Sequence, residues 1–155
     1  MRQILLFAIA LLTFSSCSRT PISVITAPED LLQGTWRYSK AVYRPAGANS
    51  YNTNVLAYYQ DYDVRFDGDE MCIYDTQTDQ KLIGYYDIIL LTEEFYDADG
   101  DFQRTNSYQL KATLYDDVTG APQDICWEDL LLTRNNNKFW EHFNDGSYKY
   151  KMYKL

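Results

Sequence analysis

The run of residues best suited to chemistry is acidic and rich in turn-forming residues. It reads Tyr-Asp-Ala-Asp-Gly-Asp, so Asp97, Asp99 and Asp101 alternate with small residues. Three carboxylates at this spacing in a turn are the pattern with which a calcium-binding loop begins. The twelfth loop position is Tyr108, where such loops carry a bidentate glutamate. We therefore expect a solvated turn without a metal, and this run is the weak metal candidate of the sequence.

The single histidine is the second candidate for chemistry. His142 lies among aromatic residues in a segment with strand periodicity. A zinc site would need cysteine partners, and a catalytic triad would need a nucleophile on a sharp turn, which the sequence lacks. The 22 acidic residues offer so many carboxylate pairs that no pair stands out for glycoside hydrolysis. We predict no catalytic residue and no cofactor, and hence a protein that is not an enzyme.

The N-terminal residues have the features of an export signal. Arg2 precedes an apolar run over 4–12, which is too short to span a bilayer. The next residues, Leu-Thr-Phe-Ser-Ser-Cys, resemble the lipobox of bacterial lipoproteins, although Phe14 stands where a smaller aliphatic residue is commoner. The resemblance implies a signal peptide over 1–16 and acyl chains such as palmitate on Cys17. An ordinary secretory signal is the alternative.

A polar segment follows this cysteine. Residues 17–28 contain serine, threonine and proline and few large apolar side chains. Such a segment buries too little surface to offset its ordering entropy, so we expect a lipidated tether. Ser18 lacks the acidic character that retains some lipoproteins in the inner membrane, and no acidic export cluster follows Arg19. The resemblance to lipoproteins thus implies attachment to the outer membrane, facing the periplasm.

The other two cysteines bear on the redox state of the domain. If Cys17 carries lipid, Cys72 and Cys126 remain as an even pair in an oxidising compartment. They form a disulfide only if their Cβ atoms meet in the fold. Two unpaired buried thiols are the alternative, and the sequence leaves both open.

The charge of the chain limits its partners. Fourteen basic and 22 acidic residues give a formal net charge of −8. A chain this acidic repels phosphate backbones, so we expect no nucleic-acid partner. The membrane contact that we expect is the one through the N-terminal lipid.

Alternation with a period of two dominates the rest of the chain. Apolar and charged residues alternate in 61–67, and similar alternation recurs in 108–115 and 148–153. This pattern is typical of antiparallel strands with one solvated face. Turn-forming residues separate these segments, and a short helical turn at 28–33 precedes them. We predict eight strands, over about 35–43, 59–67, 70–75, 81–92, 103–115, 124–133, 138–143 and 147–154.

Eight short strands joined in sequence predict an all-β fold, a single antiparallel up-and-down barrel whose closure removes exposed edges. A two-sheet β-sandwich is the alternative. Where the first strand starts, Gly34 and Trp36 form a Gly-x-Trp pattern that resembles the lipocalin-like domains of bacterial lipoproteins. The resemblance implies a lipocalin-like domain over 29–155, in which Gly34 gives a tight entry and Trp36 closes the barrel floor.

Aromatic residues are the candidates for ligand binding. The chain has 15 tyrosines, 7 phenylalanines and 3 tryptophans, more than a small core needs, and pockets combine aromatic rings with a few polar groups. We expect Tyr59, Tyr86, Trp127 and Trp140 to line a barrel mouth that takes a small apolar or sugar-like ligand. The predicted function is non-catalytic binding of a small ligand. The alternative is a protein-binding module, such as an inhibitor of a cell-wall lysing enzyme, where acidic charge steers a basic partner.

Overall fold

The structure of the protein is a computed structural model that describes residues 27–47 and 51–155. The predicted signal peptide over 1–16, Cys17 and all but the last two residues of the predicted tether lie outside the described residues. Within the described residues, one short helix precedes nine strands: α1 (Pro28–Leu32), β1 (Gly34–Pro45), β2 (Thr53–Asn54), β3 (Tyr62–Asp67), β4 (Glu70–Asp75), β5 (Lys81–Tyr96), β6 (Phe102–Asp116), β7 (Pro122–Leu132), β8 (Asn136–Phe143) and β9 (Gly146–Lys154). A 3-10 turn over Leu56–Tyr58 lies between β2 and β3.

The strands form one closed antiparallel barrel. From β3 to β9 each strand pairs with the next along the chain, β3 pairs with β1, and β9 pairs back with β1. The two-residue strand β2 is an addition, because it pairs with β1 at Val42 and Tyr43 while β3 pairs with the first part of β1. The structure thus confirms the predicted all-β fold with a single eight-stranded up-and-down barrel, and the sandwich alternative is wrong.

The alternation in the sequence separates the inside of the barrel from the outside. On β3, Val64 and Phe66 are buried, whereas Arg65 and Asp67 are exposed. Successive side chains on a strand point to opposite faces, so this pattern fixes which face is the core. The outer face carries ion pairs, of which the bidentate contact between Arg37 and Asp63 is the shortest, at 2.7 and 2.8 Å. The resulting core runs continuously around the barrel interior.

Helix α1 closes one end of the barrel. Leu32 is buried, and its carbonyl accepts a hydrogen bond of 2.5 Å from the indole Nε1 of Trp36, which is 0% exposed. The chain enters β1 through Gly34 at φ +108°, a conformation that favours glycine. The side chain of Gln33 donates to the carbonyl of Gly68 at 3.0 Å and accepts from its amide at 2.8 Å, which fixes the helix to the β3–β4 turn. No helix in the described part of the chain is long and apolar enough to cross a membrane.

The β5–β6 hairpin projects past this closed end. Strand β5 pairs with β4 only as far as Tyr85, and β6 pairs with β7 only from Tyr108 onward. Beyond these residues the two strands pair with each other up to Tyr96 and Phe102. Several large apolar side chains on this ribbon are exposed, including Leu90, Tyr96 and Phe102. The part of the hairpin beyond Tyr85 and Tyr108 is therefore a surface feature, and this part is not needed to close the barrel.

Asn137 breaks the apolar pattern of the interior and gives a stability prediction. It is 1% exposed, and neither Nδ2 nor Oδ1 of its side chain has a hydrogen-bond partner among the described residues. An unpartnered buried amide costs about 1–3 kcal/mol. We expect Asn137→Leu, which keeps a similar shape, to raise the free energy of unfolding in urea by about 1–2 kcal/mol. A value at or below that of the wild type would contradict this, and Asn136→Leu, at an exposed neighbouring position, is the matched control.

Candidate ligand-binding site

A cavity of about 620 Å³ lies at the end of the barrel opposite α1. Its wall comes from the strand ends that lie there, such as Tyr62 at the start of β3 and Leu82 near the start of β5. Exposed Tyr58 and Phe143 are at its rim, and buried Trp127 lies deeper. Pockets for small molecules are typically 300–1,000 Å³. The full lining is Tyr38, Tyr58, Tyr59, Tyr62, Ile73, Leu82, Gln123, Asp124, Ile125, Trp127, Glu141, Phe143, Asp145, Tyr148 and Tyr150.

Four tyrosines form a packed cluster on one side of the cavity. The ring of Tyr59, just after the 3-10 turn, lies 5.4 Å from that of Tyr38 on β1 and 5.1 Å from that of Tyr150 on β9. The ring of Tyr148 lies 5.9 Å from that of Tyr150. The two strands bring these rings together because β1 and β9 are the pair that closes the barrel. The cluster therefore depends on closure, as does the cavity itself.

Glu141 is the acidic group in the middle of this cluster. On β8 the inward positions alternate from Asn137 through Phe139 to Glu141. The hydroxyl of Tyr150 donates to Oε2 of Glu141 at 3.0 Å, and the hydroxyl oxygens of Tyr150 and Tyr59 are also 3.0 Å apart. Because a phenol has one hydrogen, a Tyr150 that donates to Glu141 accepts from Tyr59. The carboxylate thus ends a short chain of hydrogen bonds that reaches the cavity wall.

Burial raises the pKa of Glu141 above its usual range, while hydrogen bonds from Tyr150 and Trp127 partly oppose this effect. Burial also raises the pKa values of Tyr38 and Tyr150 far above that of a free phenol, and the nearby Glu141 charge adds to the rise. Both tyrosines therefore stay neutral and can donate hydrogen bonds at any physiological pH. The site offers a carboxylate, phenol donors and aromatic faces.

The structure divides the four aromatic residues that we expected to line a barrel mouth. Tyr59 and Trp127 line the cavity. Tyr86 faces the interior but lies at the closed end, where its hydroxyl donates to the carbonyl of Gly68 at 2.9 Å. Trp140 lies on the outer face, with the ammonium of Lys149 4.5 Å from the centre of its ring. The expectation was therefore wrong for Tyr86 and Trp140. The Gly-x-Trp residues, Gly34 and Trp36, lie at the closed end, away from the cavity.

The other chemical candidates stay apart from the cavity. Asp97 uses its carboxylate to accept hydrogen bonds from the backbone amides of Asp99 and Asp101, at 3.1 and 2.9 Å, within the β5–β6 turn. The described residues contain no group of three or more side chains placed to hold a metal ion. His142 is half exposed on the outer face, with its Nε2 3.7 Å from Oε2 of Glu128.

Of the two alternatives left open by the sequence, the structure has the unpaired one, because Cys72 and Cys126 are both free thiols and no disulfide joins them. Cys72 lies on β4 and Cys126 on β7, and β5 and β6 separate these strands. Each cysteine stands between inward residues, Cys126 between Ile125 and Trp127, so both thiols point to the outside of the barrel. A disulfide needs Cα atoms within about 7 Å, which two outward residues on strands this far apart do not reach.

In comparisons with known proteins, no family model, no curated protein and no solved structure matches this chain. The fold and the site therefore rest on the geometry alone. They define an antiparallel eight-stranded β-barrel that is closed at one end by a helix and holds a ligand-sized cavity at the other.

Proposed function

We propose that this protein is a cell-envelope lipoprotein whose lipocalin-like barrel binds a small ligand without catalysis. The observation that carries the proposal is the cavity of about 620 Å³ at one end of a barrel whose other end is closed by α1 and Trp36. An eight-stranded barrel either fills its interior with side chains or holds one small ligand. Here core side chains fill the interior near α1, and the cavity lies at the other end.

The lipid anchor is a second part of the proposal and rests on the sequence alone. The lipobox-like residues that end at Cys17 lie outside the described residues. Two or more acyl chains give stable attachment to a membrane. The mass of the denatured protein tests this part, because a lipoprotein would begin at Cys17 and carry covalent acyl chains. A chain cut elsewhere and without acyl mass would remove the anchor from the proposal.

Filling the cavity tests ligand binding. We expect Ile125→Trp to abolish the fluorescence gain of the neutral apolar dye N-phenyl-1-naphthylamine, because Ile125 lines the cavity and is buried. The expected loss of dye affinity is about ten-fold or more, the equivalent of at least about 1.4 kcal/mol. Cys126→Trp is the matched control, because Cys126 is adjacent to Ile125 but its side chain points out of the barrel. Leu82→Trp, nearer the rim, serves as a second filling variant if Ile125→Trp unfolds. Equal dye binding by a folded filling variant and the wild type would contradict the proposal.

A second candidate function, a protein-binding module, is favoured by the projecting β5–β6 hairpin. Its tip combines exposed Tyr96 and Phe102 with the acidic residues Asp97, Asp99 and Asp101. Exposed aromatic residues are frequent anchors of protein interfaces, and acidic charge steers basic partners. A lysozyme-inhibition assay with the wild type and Tyr96→Ala tests this candidate. Undiminished lysozyme activity at high protein concentration would reject it for that partner class.

A further inference from the structure

Among the described residues, no basic side chain forms an ion pair with the carboxylate of Glu141. It is half buried in the cavity wall, and burial of an unpaired charge is costly. The basic side chains that form ion pairs within the described residues bind other carboxylates. The hydrogen bond from Tyr150 compensates only part of the lost hydration. A positive charge that arrives with a ligand would compensate the rest.

The rings beside Glu141 favour the same kind of ligand. Tyr38, Tyr59, Tyr148 and Tyr150 pack with centroid distances between 5.1 and 6.5 Å. Tyrosine faces attract cations within about 6 Å of the ring centre. Several aromatic faces beside one carboxylate make the type of site that holds an ammonium group.

The charge of the whole lining has one sign. Asp124 and Asp145 lie at the rim, and together with Glu141 they give three acids. None of the described residues that line the cavity is a lysine, an arginine or a histidine. The charges of all three acids would repel an anionic ligand. A neutral sugar could stack on the rings, but it would leave the Glu141 charge without a counter-ion in a drier site.

We infer that the cavity binds an organic cation, and that Glu141 and the tyrosine cluster hold its ammonium group. This inference rests on the proposed function, because it names the ligand class of the same cavity. It differs from the small apolar or sugar-like ligand that the sequence suggested.

A pair of probes of nearly equal shape separates charge from shape. Choline carries a quaternary ammonium, and 3,3-dimethyl-1-butanol replaces its nitrogen with carbon. We expect the wild type to bind choline at least about ten-fold more tightly than the neutral probe in isothermal titration calorimetry, because only the cation is attracted by the tyrosine faces. We expect Glu141→Gln, which keeps the side-chain shape, to lower choline affinity about ten-fold. The affinity for the neutral probe should stay within about two-fold.

Glu93→Gln is the matched control, because it makes the same change at an exposed position on the β5–β6 hairpin. It should leave the affinity for choline unchanged. N-phenyl-1-naphthylamine separates the two proposals. If the dye binds but choline binds no better than the neutral probe, the cation inference is overturned and the ligand-binding function stands. If neither the dye nor either probe binds, both are overturned.

The pH dependence provides a second readout that does not depend on how well Glu141→Gln folds. Choline keeps its charge at every pH, so its affinity should fall as acid protonates Glu141, and the fall should begin above the range of an ordinary glutamate. Binding of the neutral probe should not change. The other ionisable groups around Glu141 are Tyr38, Tyr58, Tyr59, Tyr62, Tyr148, Tyr150, Asp124, Asp145, Cys126 and Glu128. In Glu141→Gln this acid-induced fall should disappear, and its persistence would assign it to one of these groups and overturn the role of Glu141.

Discussion

Replacing Trp36 with alanine should lower the free energy of unfolding by about 3–5 kcal/mol, a large part of the total for a domain of this size. Trp36 is 0% exposed and occupies the closed end of the barrel, so its removal leaves a large void. The change also removes the indole donor of the 2.5 Å hydrogen bond to the Leu32 carbonyl. That carbonyl belongs to α1, so the helix should also be held less tightly, by buried Leu32 and the Gln33 hydrogen bonds alone.

Urea unfolding followed by circular dichroism measures this loss. Trp140→Ala is the matched control, since the same side chain is removed from the outer face, where Lys149 is its cation–π partner. Its expected cost is about 1 kcal/mol or less. Equal losses for the two variants would show that Trp36 does not close the barrel in the manner described.

Placing a methyl group at Gly84 should cost about 2–3 kcal/mol. Gly84 is buried on β5, opposite Leu114 on β6, and a Cβ added there would lie 2.1 Å from the carbonyl oxygen of Thr113. That oxygen belongs to the backbone of a paired strand, so it can move only if the β5–β6 pairing shifts. Glycine therefore lets the two strands approach at this point in the barrel wall.

Gly120→Ala is the control for Gly84→Ala, because it tests the backbone preference of glycine without a steric conflict. Gly120 has φ +69°, and no atom of the described neighbouring residues lies within 4 Å of an added Cβ. Its substitution should cost only the conformational strain, about 1 kcal/mol. Urea unfolding of both variants, with hydrogen exchange on β5 and β6, makes the comparison. A loss for Gly84→Ala no larger than that for Gly120→Ala would contradict the close approach.

The strands could be predicted from the sequence because each has one solvated face. The alternation in 61–67 predicted β3, although the strand starts at Tyr62 and not at 59, because the chain still turns after the 3-10 helix. The segment 70–75 matches β4 in full. The two-residue strand β2 was missed, since two residues are too few to show a period.

The cavity and its carboxylate were harder to predict, for two physical reasons. Alternation shows which face of a strand is apolar, but it does not show how wide the barrel interior is. In β8, aromatic residues occupy both faces, so the segment from Phe139 to Phe143 gives no clear register. A one-residue shift in register would place Trp140 in the interior instead of Glu141. We predicted Trp140 there, whereas the structure has Glu141.

The outward direction of the two cysteines was, by contrast, visible in the sequence. Cys72 lies between Met71 and Ile73, and Cys126 between Ile125 and Trp127, so large apolar neighbours occupy the inward positions on both strands. The even count of cysteines suggested a pair, but only the order of the strands shows that β4 and β7 are not neighbours. Counting alone therefore could not decide the disulfide.

Native mass spectrometry of the protein purified from its own cell envelope tests the central claim, a hollow barrel that holds a small ligand, most directly. We expect a reproducible extra mass on the wild type that is lost on denaturation and is absent from Ile125→Trp. Any covalent lipid would remain after denaturation, so it cannot be mistaken for this ligand. A wild type that shows only the mass of its own covalent chain, with no extra mass in any preparation, would contradict the claim.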